Sequence, residues 1–578
     1  MTMIFSRMRQ TLRGICLSTW VFTLGCQHLP APIDDGRWEP FIAKFVEAYF
    51  AAHPPFAVNA GRHEFDGQLP DWSPTALANE IVWLRSIRER ALKFDAVSLD
   101  EHQRFERDYL LSVIDGDLFW LEAAQWPYKN PMFYSEALDP NVYLTRNYAP
   151  LPQRMLAYIR YAKAIPTAVR QIRTNLRTPL PQPYIDVGTK VFGGMASYYE
   201  KDVPLIFASV QNPIDQEELR IANQEAAQAM KGLVGWLDGQ RPRATETYAL
   251  GPELFRKMLY DTERIDVPLD QLKEIGRYDL DRNLAALHDA CRAYALRATI
   301  PACISKAQAN KPAGGAIAYA RRQLGELKAF LIAKDLVTIP GTEEAQVAES
   351  PPYQRWNLAY IDIPGAFDKG LPSVYYVAPP DPTWSKAEQE AYLPSQANLL
   401  FVSVHEVWPG HFLQFQHAKR LPGTLEQVFS SYGFTEGWAH YAEEMMWEAG
   451  LGHADAEVHI GQLLNALLRN VRFLSAIGLH TQGMTIEESQ RMFRELAYQD
   501  PGNARQQAAR GTFDPAYLNY TLGKLMIRRL REEWTTPRGG QKAWREFHNT
   551  FLSFGAPPIS LIGKAMLRTD AMSVLSDP

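Results

Sequence analysis

A recurring amphipathic period constrains this chain more than any other feature. Residues 76–94 (ALANEIVWLRSIRERALKF), 99–124, 155–176 and 217–239 each place apolar side chains near the i, i+3, i+4 spacing. Wound at 3.6 residues per turn, each stretch presents one apolar face. Pro166 and the Pro-containing segment at 179–183 punctuate the series as helix ends or kinks do. Such segments bury a core only by packing on one another, which predicts a mainly α-helical protein. No period of roughly 20 to 50 residues with internal similarity is present, so a repeat solenoid is not expected. The pattern changes between 340 and 383, where WNLAYIDIPG and LPSVYYVAPP carry β-branched and aromatic residues bracketed by Gly and Pro. These predict a pair of strands, a small hairpin or sheet. Helices are expected to resume near 386, so the reading divides the chain into a helical region, 26–340, and a region with the strands and the chemistry, 341–578.

The first 25 residues read as an export signal. Arg7, Arg9 and Arg13 precede an apolar run from Ile15 to Leu24. That run is half the length of the roughly 20 residues a spanning helix needs. Thr23-Leu24-Gly25-Cys26 resembles a bacterial lipobox, with Thr23 where Leu is usual. Cys26 is therefore expected to carry lipid, placing the protein in the cell envelope, periplasmic and attached to a membrane only through that anchor; soluble export is the alternative. Cys291 and Cys303 stand twelve positions apart, which permits a disulfide in an oxidising compartment and equally permits two buried thiols. Sixty Lys and Arg against sixty-five Asp and Glu leave a formal charge of −5, without the basic surplus of a nucleic-acid binder.

The chemistry concentrates in LFVSVHEVWPGHFLQFQHAKR (400–420) and SSYGFTEGWAHYAEEMMWEAG (430–450). In an HExxH helix, two His at i and i+4 lie about 40° apart and reach one zinc ion, while the Glu activates its water. Here His405 and His411 are six residues apart, which leaves them about 120° apart on a regular helix. Pro409 has no N–H for the carbonyl of His405 and its ring clashes with that oxygen, and Gly410 tolerates unusual backbone angles. A bulge or widened turn at Pro409-Gly410 is thus expected to restore convergence. Catalytic zinc takes three protein ligands and keeps one position open. Glu436, 25 residues after His411, is the expected third ligand, on a returning helix. His440, one turn on, is expected to support the site or touch substrate. Histidines satisfied within a core are the competing reading.

HEVWPGHFLQ followed by TEGWAHYAEE resembles the bacterial family called domain of unknown function 885, which carries HExxPGHxxQ and EGWAxYAE segments. PPFAVNAGRHEFDGQLPDWS (54–73), NPMFY (130–134), IGLHTQGMT (477–485) and DPAYLNYTLGKLMIRRLRE (514–532) are similar to further family segments. The resemblance implies a large gluzincin-like helical metallopeptidase, with zinc on His405, His411 and Glu436 and with Glu406 as general base. It implies that Gln414 lines the site and that Tyr520, Lys524 and Arg510 lie near substrate. It extends to His480, but Ala476 stands where relatives often have Asp, so His480 lacks that partner in this chain.

On this reading Glu406 moves the proton during hydrolysis of a peptide, and Tyr520 donates to the developing oxyanion; a core aromatic is the alternative for Tyr520. Lys524 or Arg510 would hold a substrate carboxylate, or else form surface salt bridges. The competing class is a non-catalytic envelope binding lipoprotein with a structural or vestigial metal site. No GxSxG elbow or Walker-type loop is present, so serine-hydrolase and nucleotide chemistry fall away.

Overall fold

The expected helices form at Pro74–Lys93, Glu101–Leu118, Leu151–Asn175 and Pro213–Asp238, in a computed structural model that describes residues 37–568 apart from 96, 352–354, 356–357 and 381–384. Their starts follow from local chemistry. The Ser73 side chain accepts the Ala76 N–H ahead of Pro74, Asp100 and Gln103 close a capping box, and Asn212 accepts the N–H groups of Ile214 and Asp215. Pro166 does not end its helix but sits inside Leu151–Asn175. Ala162, Ile165, Ala168, Val169 and Ile172 are buried on both sides of it. Burying those flanks offsets the roughly 3 kcal/mol that an interior proline costs. The protein is mainly α-helical, 70% helix against 3% strand among the described residues.

The two expected strands are present and a third joins them. Strands β1 (Ala345–Glu349), β2 (Ala359–Asp362) and β3 (Ser373–Val377) form a sheet of order β1-β3-β2. β2 pairs with β3 antiparallel and β1 pairs with β3 parallel, so β2 lies at an edge. β1 escaped the sequence reading because AQVAE is too short and polar to stand out.

Buried apolar side chains sort into two clusters. One runs from Trp38 to Leu237 and takes in Leu425, Phe429 and Leu561; the other runs mainly from Phe255 to Ile562. The helices of 252–334 thus pack with the core that follows them. Side-chain pairs tie the first cluster to the sheet region: Arg146 meets Asp362 at 2.8 Å, and His63 meets Asp368 at 3.1 Å. Cys291 and Cys303 form a disulfide. The signal segment and Cys26 lie outside the described residues. Among the described residues no helix is long and apolar enough to cross a membrane.

Seven helices position the site: α1 (Leu269–Tyr294), α2 (Gln396–Glu406), α3 (His411–Ala418), α4 (Tyr432–Glu448), α5 (Ala456–Thr481), α6 (Pro501–Phe513) and α7 (Asn519–Thr535). α4 and α7 touch backbone to backbone. A Cβ on Gly437 would stand 2.6 Å from the Gly523 Cα, and one on Gly523 would stand 2.0 Å from the Gly433 carbonyl oxygen. This contact sets Glu436 on α4 beside Tyr520 on α7.

Candidate metal centre

Pro409 and Gly410 split the expected helix in two rather than bulging it. α2 ends at Glu406, the chain turns through 407–410 with a cis Trp408-Pro409 peptide, and His411 opens α3. The Gly410 N–H donates to the Val404 carbonyl at 3.0 Å, and the Trp438 indole N–H donates to the Pro409 carbonyl at 2.9 Å. Gly410 presses on the end of α2 so closely that a Cβ there would lie 1.7 Å from the His405 carbonyl oxygen. A full break achieves what a bulge was expected to achieve, because the new axis of α3 frees His411 from the angular arithmetic of one helix.

His405, His411 and Glu436 converge. Their ligand atoms all lie within 4.8 Å of one another. Glu436 Oε2 stands 3.3 Å from His405 Nε2 and 3.6 Å from His411 Nε2. That oxygen is sealed from solvent yet accepts no hydrogen bond of proper geometry. A buried carboxylate oxygen facing two imidazole nitrogens at these distances fits a divalent cation, and a set of two His and one Glu is a zinc donor set.

The electrostatics favour positive charge at this point. Burial pulls the His405 pKa down, but Glu436 and Glu443 outweigh it and raise it to about 9. Burial lowers His411 to about 4 against the pull of Glu436, so this imidazole is neutral at pH 7. Burial works to raise the Glu436 pKa, yet the two histidines hold it far below the usual carboxylate range. Burial raises Glu406, the neighbour of His405, to about 7; Glu436 adds to the rise, while His405, Arg469 and a hydrogen bond from the Ile361 N–H of β2 oppose it.

One contributor escaped the sequence reading. Glu443 is wholly buried, and its Oε1 receives the His405 Nδ1–H at 2.8 Å, fixing the ring so that Nε2 faces Glu436. Its signal was its position seven residues after Glu436, two turns along the same face. His440, between them in that stripe, has no exposed surface and stands 3.5 Å from Glu443 Oε1; burial lowers its pKa to about 4, and neither ring nitrogen is hydrogen-bonded.

The other expected site residues divide. Tyr520 lies beside the centre, its ring 6.3 Å from that of His405 and nearly parallel to it. Arg510 reaches the same neighbourhood, donating to Asp514 at 2.9 Å and to the Tyr432 hydroxyl at 2.8 Å. Gln414 is buried on α3 with neither amide atom hydrogen-bonded. His480 is a buried cross-tie, its Nε2–H donating to the Gly511 carbonyl at 2.7 Å and its Nδ1 accepting from Leu250 N–H at 3.2 Å.

Lys524 is neither at the surface nor open to a ligand. It is wholly buried, 2.7 Å from Asp279 and 3.2 Å from Glu444, in a network that also holds Arg282, Arg528 and Asn470. The network fastens α1, α4, α5 and α7 together behind the metal centre. Removing one partner of a buried pair strands the others, so Lys524→Met should cost about 3–5 kcal/mol in urea unfolding. Lys524 and Arg282 outweigh burial to hold the Asp279 and Glu444 pKa values low. The stabilisation is therefore present above the unfolded carboxylate value of about 4 and is lost as pH falls through the lower folded values. The gap between wild type and K524M should narrow below about pH 4.

The same fold is known elsewhere. A candidate lipoprotein of unknown function from Shewanella oneidensis overlays with a TM-score of 0.76 at 21% identity, covering 92% of this chain and 100% of that one. A candidate lipoprotein from Colwellia psychrerythraea overlays at 0.78 with 16% identity, covering 92% and 98%. None of the curated proteins compared with the chain matches it. The family model described as bacterial protein of unknown function, DUF885, matches residues 54–566 and so spans both histidines, Glu436 and the helices behind them: the chain belongs to that family.

Proposed function

We propose that the protein is a zinc-dependent metallopeptidase of the cell envelope that hydrolyses peptide bonds in oligopeptides. One observation carries the reading: two imidazole Nε2 atoms and a Glu436 oxygen without a hydrogen bond face one point, with Glu406 beside them and Glu443 behind. His405, His411 and Glu436 would hold the zinc, which when bound acidifies a water and polarises a carbonyl. Structural zinc sites are usually closed and rich in Cys, whereas this set leaves a position for substrate.

The chain's own residues supply the rest. Glu406, raised to about 7, accepts a proton from the attacking water and passes it to the departing amine. Tyr520, whose ring lies 6.3 Å from that of His405, would donate to the oxyanion that develops on the scissile carbonyl. The β2 edge lies against Glu406 through the Ile361 N–H, which suits an extended peptide adding as a further strand. The likeness to two candidate lipoproteins, the lipobox-like Cys26 and the Cys291–Cys303 bond agree with an oxidising envelope compartment and a lipid anchor.

Metal analysis tests the centre. The purified protein should hold close to one zinc per chain, and His405→Ala and His411→Ala should each empty the site. Unchanged stoichiometry in both variants would refute it. Bound zinc without cleavage across a peptide library would favour the non-catalytic binding reading.

A further inference from the structure

We propose that Arg472, assisted by Arg510, forms a carboxylate-binding subsite next to the metal centre, so that the protein selects peptides by an anionic group held one aromatic ring away from the scissile bond. The proposal rests on the peptidase reading for its substrate class, and on this geometry for the subsite.

Arg472 is a buried cation without a counter-charge. It is only 8% exposed, and its Nε donates to the neutral amide oxygen of Gln507 at 2.8 Å. No carboxylate among the described residues forms an ion pair with it, and its charged neighbours are Arg469 and Arg510. A guanidinium taken out of water needs an acceptor of opposite charge, and one left without it is costly to the fold. The nearby carboxylates are already engaged. Asp514 binds Arg510 at 2.9 Å, Glu443 is shared among His405, His440 and Arg469, and Glu436 faces the two metal-site histidines.

The position of Arg472 relative to the reacting centre is equally specific. Its guanidinium lies 4.8 Å from the centroid of the Tyr520 ring, and that of Arg510 lies 5.7 Å from it. The Tyr520 ring in turn lies 6.3 Å from the His405 ring. Tyr520 therefore separates the metal ligand from a cationic wall, and an extended peptide, rising ~3.3–3.6 Å per residue, would cross that gap in a few residues. Arg510 is one-third exposed, so the wall opens outward there. Arg472 on α5 and Arg510 on α6 come from different helices, and neither stands in a motif that would pair them.

Binding of three capped peptides tests this: acetyl-Ala-Ala-Ala as the free acid, the same peptide as its C-terminal amide, and acetyl-Ala-Glu-Ala amide. Each is titrated calorimetrically into zinc-loaded Glu406→Gln protein, with and without Arg472→Gln. The free acid should bind about 10- to 100-fold more tightly than its amide, as charge-assisted hydrogen bonds to a guanidinium imply. Arg472→Gln should erase that preference with zinc content unchanged. If the Glu-containing amide binds as well as the acid, the subsite takes a side-chain carboxylate. Equal binding of all three peptides would overturn the subsite, as would an acid preference that survives Arg472→Gln, since the metal itself would then hold the carboxylate. Should Arg472→Gln fail to fold, Arg510→Gln, at the one-third exposed partner, should weaken the acid preference with zinc content unchanged, and a preference left whole by that variant would overturn the subsite. Cleavage of the acid peptide by protein with Glu406 intact is scored separately: selective binding without cleavage refutes the peptidase and leaves the subsite standing.

Discussion

Glu406→Gln should keep one zinc per chain and lose peptide hydrolysis by about a thousandfold or more, the upper range for removing a positioned general base. The substitution is nearly isosteric and Glu406 is not among the three converging side chains, so the proposed metal centre should persist. Gln keeps a carbonyl oxygen that can accept from the Ile361 N–H of β2 but cannot take up a proton. Zinc content by atomic spectroscopy and single-turnover cleavage of a peptide, read by mass spectrometry, give the two measurements. Undiminished turnover with bound zinc would remove Glu406 from proton transfer and leave the proposed chemistry without its base.

The second large effect is expected from one methyl group. Gly410→Ala places a carbon 1.7 Å from the His405 carbonyl oxygen, 2.4 Å from the His405 carbonyl carbon and 2.5 Å from the Val404 carbonyl oxygen. These are backbone atoms, so no rotamer change relieves the clash, and α2 and α3 must separate. His405 and His411 flank that contact and would lose their shared focus. Zinc affinity should fall by about a hundredfold or more, the upper range seen when a ligand's support is removed. Far-UV circular dichroism should change little, because α2, α4 and the helices around them stay anchored by buried Phe401, Phe434 and Trp438. Competition against a chromophoric chelator measures the affinity. Wild-type affinity in Gly410→Ala would mean that the close approach is not what holds the two histidines together.

His405, Glu406 and His411 are legible because a Pro-Gly pair and a fixed helical rise act on residues only a few positions away, and Glu436 because a second motif follows at a distance that one returning helix can span. Even there the outcome was a clean break between α2 and α3, since the sequence carries the need for a turn but not the packing partner, Trp438, that secures it. Lys524 illustrates the opposite case. A lysine on an amphipathic helix reads as a surface residue until the glycine faces of α4 and α7 are brought together, and that contact turns it into the buried partner of Asp279 and Glu444.

The helical class, the strand pair at 359–377 and the likeness to a family are written into local periodicity, composition and motif spacing, and the same motifs single out His405, His411 and Glu436, the three side chains that converge. Long-range packing, by contrast, makes Glu443 orient His405, makes His480 a cross-tie between Leu250 and Gly511, and leaves Arg472 buried without a carboxylate partner among the described residues. Backbone preferences act over a few residues, whereas the burial and pairing of a charge depend on side chains that can lie hundreds of positions away in the chain.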